Sequence, residues 1–159
     1  MSSKRKKAIY SGTFDPITNG HMDIIRRALQ VFDEIIVAVA DSNSKNPMFD
    51  TKTRVELVNK ATKGLNVKAK SFNTLLVDFA KNEDVETIIR GLRAVSDFEY
   101  ELQMGYANNS LDKNIDTMYF MPTLQNAFVS SSVVREILKF KGSVGHLVPN
   151  EILEDIKCI

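Results

Sequence analysis

The stretch AIYSGTFDPITNGHMDIIRRALQVFDEIIVAVA, residues 8–40, decides the fold. Ala8-Ile9-Tyr10-Ser11-Gly12 is short, apolar and β-prone, and it runs into a turn carrying Gly12, Asp15, Pro16, Asn19 and Gly20. From Gly20 the pattern takes a helical period: Met22, Ile25, Ala28, Leu29 and Phe32 fall on one side, with Arg26, Arg27 and Gln30 elsewhere. Ile35 to Ala40 is then apolar throughout, as a parallel strand covered on both faces must be. The stretch reads as a strand, a crossover helix and a parallel strand.

The alternation continues outward. Asp50 or Thr51 can cap a helix burying Val55, Val58 and Ala61, and Val67 to Ala69 can return as a strand. Thr74 can cap a short helix with Leu75, Leu76, Phe79 and Ala80, followed by a strand near Val85 to Ile89. A helix from about Asp97 would bury Phe98, Leu102 and Tyr106, and Thr117 to Met121 reads as a fifth strand. Ser130, Ser131 and Ser132 precede a helical face of Val133, Val134, Ile137 and Leu138, and Pro149 suits the first turn of a last helix with Ile152, Leu153 and Ile156. Five strands alternating with helices predict an α/β, doubly wound, Rossmann-like sheet of five parallel strands with helices on both faces. Such a sheet places its site outside the carboxyl ends of its strands.

Composition sets the bounds. The 159 residues, 43% hydrophobic and 26% charged, predict one domain over residues 8–159 behind a basic, disordered tail at 1–7, and argue against a low-complexity scaffold. The longest apolar run, Ile35 to Ala40, is far shorter than the ~20 residues of a membrane-spanning helix. The charged N-terminus is followed by no apolar signal stretch, and Cys158 is the only cysteine, so a cytoplasmic, membrane-free protein is expected. Net charge is +1, but Lys4, Arg5, Lys6 and Lys7 carry the excess; the remainder holds 17 basic and 20 acidic residues. A broad nucleic-acid face is therefore disfavoured, and any phosphate must be bound locally.

The sequence has no Gly-Lys dipeptide for a Walker A loop, no Gly-x-Gly-x-x-Gly after the first strand and no Gly-x-Ser-x-Gly elbow. Two histidines and one cysteine, remote from each other, offer no structural zinc pattern. Phosphate-compatible groups instead gather after the predicted strands. Thr13 and His21 follow the first, with His21 at a helix start whose free N–H groups favour anions. Lys45 follows the second, Arg90 and Arg93 follow the fourth, three apart around Gly91, and the three serines precede the fifth helix. Taken singly these are a helix-start histidine, solvated cations and capping serines. Together they mark one edge of the sheet.

The motifs are specific in combination. Tyr10 to His21, YSGTFDPITNGH, resembles the opening motif of the bacterial phosphopantetheine adenylyltransferase family, within the nucleotidyltransferase superfamily marked by His/Thr-x-Gly-His. Ile89 to Glu101, IRGLRAVSDFEYE, is similar to that family's second signature, and Phe128 to Arg135, FVSSSVVR, to its third. The resemblance implies adenylyl transfer from ATP to 4′-phosphopantetheine, giving dephospho-coenzyme A and pyrophosphate by direct in-line displacement. It implies His21 as transition-state stabiliser, with Lys45 and Arg93 as further catalytic groups. It implies ATP contacts at Thr13, Phe14, His21, Gly91, Leu92, Arg93, Glu101, Asn126, Ala127, Phe128, Val129, Ser130, Ser131 and Ser132. Phosphopantetheine is expected at Thr13, Lys45, Leu76 and Arg90. Mg2+ would be held mainly by substrate phosphates and water rather than by protein ligands. A homohexamer inhibited by coenzyme A is also implied.

Several positions depart from the pattern: Ser11 stands where the family usually has proline, Val129 where it has isoleucine, and Gln125-Asn126-Ala127 lacks a common aromatic residue. The competing readings are a related transferase acting on nicotinamide mononucleotide and a nucleotide-binding regulator without turnover.

Overall fold

Strands Lys7–Gly12 (β1), Glu34–Ala40 (β2), Val67–Phe72 (β3), Thr87–Gly91 (β4) and Asp116–Phe120 (β5) form one parallel sheet in the order β3-β2-β1-β4-β5. The structure is a computed structural model that describes residues 5–41 and 46–157. The helices are Asn19–Ala28 (α1), Thr51–Ala61 (α2), Leu76–Asn82 (α3), Val95–Leu111 (α4), Ser131–Lys139 (α5) and Leu153–Lys157 (α6). None of them is long and apolar enough to cross a membrane.

Alternation along the central strands builds two cores. Ala8, Tyr10, Ile35, Val37 and Val39 face one side and pack with Ile25 of α1, Leu57 and Val58 of α2, Val134 of α5 and Ile156 of α6. Ile9, Ile36 and Ala38 face the other and pack with Val77, Phe79 and Ala80 of α3. Both faces of β1 and β2 are covered, which is why Ile35 to Ala40 carries no polar residue.

Local signals start the helices where they are expected, with exceptions. Thr18 caps α1 in a reciprocal capping box with His21, Asp50 caps α2 through the Thr53 N–H at 2.7 Å, and Ser130 caps α5 through the Val133 N–H. Thr74 does not cap α3: Leu75 occupies that position, more than half exposed, and no side chain closes the helix end. Pro149 precedes a short 3-10 turn, Asn150–Ile152, instead of entering the first turn of α6.

Helix α4 departs most from expectation. It begins at Val95, and Phe98 and Tyr106 are exposed, at 47% and 70%. Its inward side carries Glu101 and Gly105, and an added Cβ at Gly105 would lie 2.6 Å from the Tyr119 hydroxyl of β5. The apolar periodicity of α4 therefore marks a face turned away from its own sheet. At the N-terminus the order reaches into the basic segment: Lys7 opens β1, and the Lys6 backbone N–H donates to Asp33 Oδ2 at 2.8 Å.

Candidate active site

In this strand order the crossovers diverge between β1 and β4, and the carboxyl ends of those strands frame a crevice. A cavity of about 410 Å³ lies there, walled by the Gly12–Asp15 turn, Gly20 and His21 of α1, Arg90, Gly91 and Arg93 around the end of β4, and Val129 to Ser132 at the start of α5. A second cavity of about 370 Å³ shares Ser11, Gly12, Thr13, Arg90 and Glu101 with the first and extends past Phe72, Leu76, Met104 and Asn108. Two spaces meeting at Thr13 and Arg90 suit two reactants.

The sequence around His21 fixes both its position and its proton. Nδ1 accepts the Thr18 backbone N–H at 3.0 Å, so the neutral ring carries its hydrogen on Nε2. The Phe14 ring packs edge-on at a centroid distance of 4.9 Å, and Tyr10 lies edge-on to Phe14 at 5.2 Å. Burial among these rings, with the charges of Arg93 and Arg90, pushes the His21 pKa down to about 3. At neutral pH His21 is an uncharged hydrogen-bond donor, unsuited to take up a proton.

Arg90 and Glu101 form one unit. The guanidinium grips the carboxylate with Nε to Oε2 at 2.7 Å and Nη2 to Oε1 at 2.6 Å, while Nη1 donates to the Ser11 carbonyl at 2.6 Å. Burial alone would lower the Arg90 pKa, but the bonds to Glu101 and its charge outweigh this and hold it above the ordinary value. Two residues expected to serve different substrates thus brace each other. Arg93 differs: its side chain is 42% exposed, and its ion pair is to Asp97 at 3.7 Å, which leaves the guanidinium available to an anion in the cavity.

The opposite wall is the start of α5. Ser131 Oγ donates to the Pro16 carbonyl at 2.8 Å, docking the helix start on the β1 turn, and Ser132 lies beside Arg135. Gly20 permits this approach: a Cβ there would meet the Val129 carbonyl at 3.1 Å. Asn126 belongs to a 3-10 turn, Leu124–Asn126, Phe128 is 63% exposed, and neither lines the two cavities, nor do Ala127 or Leu92. Leu76 lines the second cavity. Lys45 lies outside the described residues.

Sequence reasoning missed Asp15 and Arg54. Asp15, 3% exposed, accepts the N–H groups of Met48 and Phe49 at 2.8 and 2.9 Å, and its carbonyl accepts Arg135 Nη1 at 2.8 Å. Both residues occupy positions that read as turn and helix surface, and no local pattern reveals such long-range bonds. Among the described residues no three His, Cys, Asp or Glu side chains are grouped to hold a metal ion. Among the oxygen donors that line the first cavity, Asp97, Thr13 and the serines are hard ones that would suit a hydrated divalent ion.

Residues 9–137 match the cytidylyltransferase-like family profile. The chain is 66% identical over 151 residues to the phosphopantetheine adenylyltransferase of Nautilia profundicola, covering 94% of this chain and 98% of that one. It is 58% identical over 158 residues to the same-named protein of Campylobacter hominis, covering 97% and 99% of the two chains. Among solved structures, a putative nicotinate-nucleotide adenylyltransferase from Vibrio parahaemolyticus superposes with a TM-score of 0.71 at 20% identity, over 97% of this chain and 95% of that one, a likeness of fold.

Proposed function

The chain belongs to the phosphopantetheine adenylyltransferases of the cytidylyltransferase-like family, and from that membership we infer that it transfers the adenylyl group of ATP to 4′-phosphopantetheine. The products are dephospho-coenzyme A and pyrophosphate, a step of coenzyme A biosynthesis. The geometric observation that carries this reading is the pair of adjoining cavities, one faced by His21, Arg93 and serines, the other running to Phe72, Leu76 and Met104.

We place the ATP phosphates in the first cavity and the pantetheine arm in the second, so that the acceptor phosphate meets the α-phosphorus near Thr13. An oxygen of the acceptor phosphate attacks that phosphorus in line, the new P–O bond forms, and the bond to the β-phosphate oxygen breaks. The nucleophile is already ionised, so no general base is needed. His21 donates Nε2–H to the α-phosphate oxygen on which charge develops. Arg93 receives the departing pyrophosphate, Ser132 offers its hydroxyl, and the helix-start N–H groups of Ser131 and Ser132 face the β- and γ-phosphates. Arg90 and Glu101 hold the junction between the cavities, and Lys45 supplies charge to the acceptor phosphate. Asn126 to Phe128 border the adenine.

Transfer requires a divalent ion, which we assign as Mg2+; when bound it would neutralise phosphate charge. Asp97 and the cavity hydroxyls are the groups that would face its water shell. We also assign a cytoplasmic location, one catalytic domain that takes in Lys7 of β1, inhibition by coenzyme A and a homohexamer.

Pyrophosphate release by the purified protein tests the reaction. Turnover is expected with ATP, Mg2+ and phosphopantetheine, and a fall of roughly 10²–10³ in His21→Ala with ATP binding retained. Preference for nicotinamide mononucleotide would overturn the substrate, and absence of turnover in the unaltered protein would favour a regulator.

A further inference from the structure

Arg54 heads the fully buried side chains by volume, 1% exposed, and it lines neither cavity. Its guanidinium reaches from α2 to three separate segments. Nε donates to the Phe49 carbonyl at 3.0 Å, and Nη1 donates to the carbonyls of Thr13 at 2.8 Å and Ala40 at 2.9 Å. Nη2 donates to Thr51 Oγ1 at 2.9 Å, which itself donates to Asp41 at 2.7 Å. Among the described residues no carboxylate touches the guanidinium. A buried cation held by carbonyl dipoles is a poor choice for stability alone, because an apolar side chain of similar shape would fill the space without desolvating a charge.

The bond to Thr13 has a directional consequence. In a planar trans peptide the N–H points opposite to the carbonyl, and the Thr13–Phe14 peptide is trans. Drawing the Thr13 oxygen back toward Arg54 therefore turns the Phe14 N–H the other way, on the turn whose residues wall the first cavity. That N–H has no acceptor among the described residues. Phe14 also holds φ at 49°, a left-handed conformation that a bulky residue keeps only when its surroundings impose it.

We propose that Arg54 is a positioning residue for the transfer reaction, acting from behind the cavity wall through the Thr13–Phe14 peptide to present the Phe14 N–H to a phosphate oxygen of the nucleotide. Phe49 and Ala40 are drawn to the same guanidinium, so the end of β2 and the entry to α2 are registered on that turn together. The inference rests on the assignment of the first cavity to ATP.

The test uses the full chain labelled with 15N-phenylalanine, whose nine amide signals include Phe14, identified by its loss in Phe14→Leu. Saturating ATP without the second substrate is expected to move the Phe14 amide proton downfield in the unaltered protein. In folded Arg54→Lys, whose single ammonium cannot span three carbonyls, that movement should be lost and kcat should fall at least about tenfold while calorimetry still shows ATP bound. A Phe14 signal indifferent to ATP that calorimetry shows to be bound overturns the inference and leaves the proposed reaction standing. An unchanged Phe14 response and unchanged kcat in Arg54→Lys, whatever its melting temperature, reduces Arg54 to a structural brace and also overturns it. If ATP does not bind the unaltered protein, the assignment of the cavity fails and takes this inference with it. Should Arg54→Lys not fold, Thr51→Val removes the Nη2 partner. It should weaken both the Phe14 response and kcat by a few-fold, and no change in either refutes the proposal.

Discussion

His21 serves the helix and the reaction through opposite sides of one ring. Its Nδ1 closes the capping box with Thr18, which consumes the acceptor nitrogen and leaves a donor on Nε2. Burial, with the charges of Arg93 and Arg90, holds the pKa at about 3, so the donor stays uncharged at neutral pH. This has a cost in acid. The unfolded chain takes up a proton at His21 near pH 6.5 and the folded chain does not until about pH 3, so between these values the unfolded state binds more protons. Stability is then fully present above about pH 6.5 and declines as the pH falls toward 3. Calorimetric melting between about pH 7 and 5, above the ordinary carboxylate range, should show the melting temperature falling more steeply for the unaltered protein than for His21→Asn. Parallel slopes would mean that His21 is protonated in the folded protein. A histidine at a helix start was visible in the sequence; its bond to Thr18 and its enclosure were not, because Phe14 and Tyr10 face the ring only once the β1 turn folds back.

The two arginines near the end of β4 show what spacing conveys and what it hides. Arg90 and Arg93 lie three apart around Gly91 and read alike as anion-binding groups, yet Arg90 belongs to the strand and Arg93 follows it. Arg90 ties β4 to α4 through Glu101 and to β1 through Ser11, with a 9% exposed carboxylate as its partner. Arg90→Ala should therefore leave Glu101 nearly buried without its cation and cost on the order of 3 kcal/mol of stability, besides weakening phosphopantetheine binding. Arg93→Ala should leave the melting temperature within a few degrees and reduce kcat by orders of magnitude through lost stabilisation of the leaving pyrophosphate. Thermal melting beside steady-state kinetics on both variants checks the contrast; equal losses of stability would contradict it. The strand and helix order was legible because β1 and β2 are covered on both faces and their flanking helices are amphipathic. Arg54 was not legible, since an arginine on a helix reads as solvated and its carbonyl acceptors lie 5, 14 and 41 residues away.

Helix α4 carries the argument to the assembled protein. Phe98, Leu102 and Tyr106 were expected to be buried, yet Phe98 and Tyr106 are 47% and 70% exposed and Leu102 is only half-buried, while Glu101 and Gly105 face inward. Periodicity reports that a face is apolar; it does not report what covers it. Both cavities draw on this helix, through Asp97 and Glu101 in the first and Tyr100, Met104 and Asn108 in the second, so whatever buries its outer side also steadies the site. A second copy of the chain is the occupant consistent with the proposed hexamer, because a closed assembly covers the same face on every subunit. Tyr106 lines neither cavity and is the most exposed aromatic residue of the helix, which makes it the position to alter. In sedimentation experiments the unaltered protein should run near six times its 17.9 kDa chain mass. Tyr106→Glu, placing a charge that an apolar contact cannot solvate, should shift it to smaller species and lower kcat with them. A variant that keeps the full mass would place the subunit contacts elsewhere, and α4 would then be exposed to solvent for another reason.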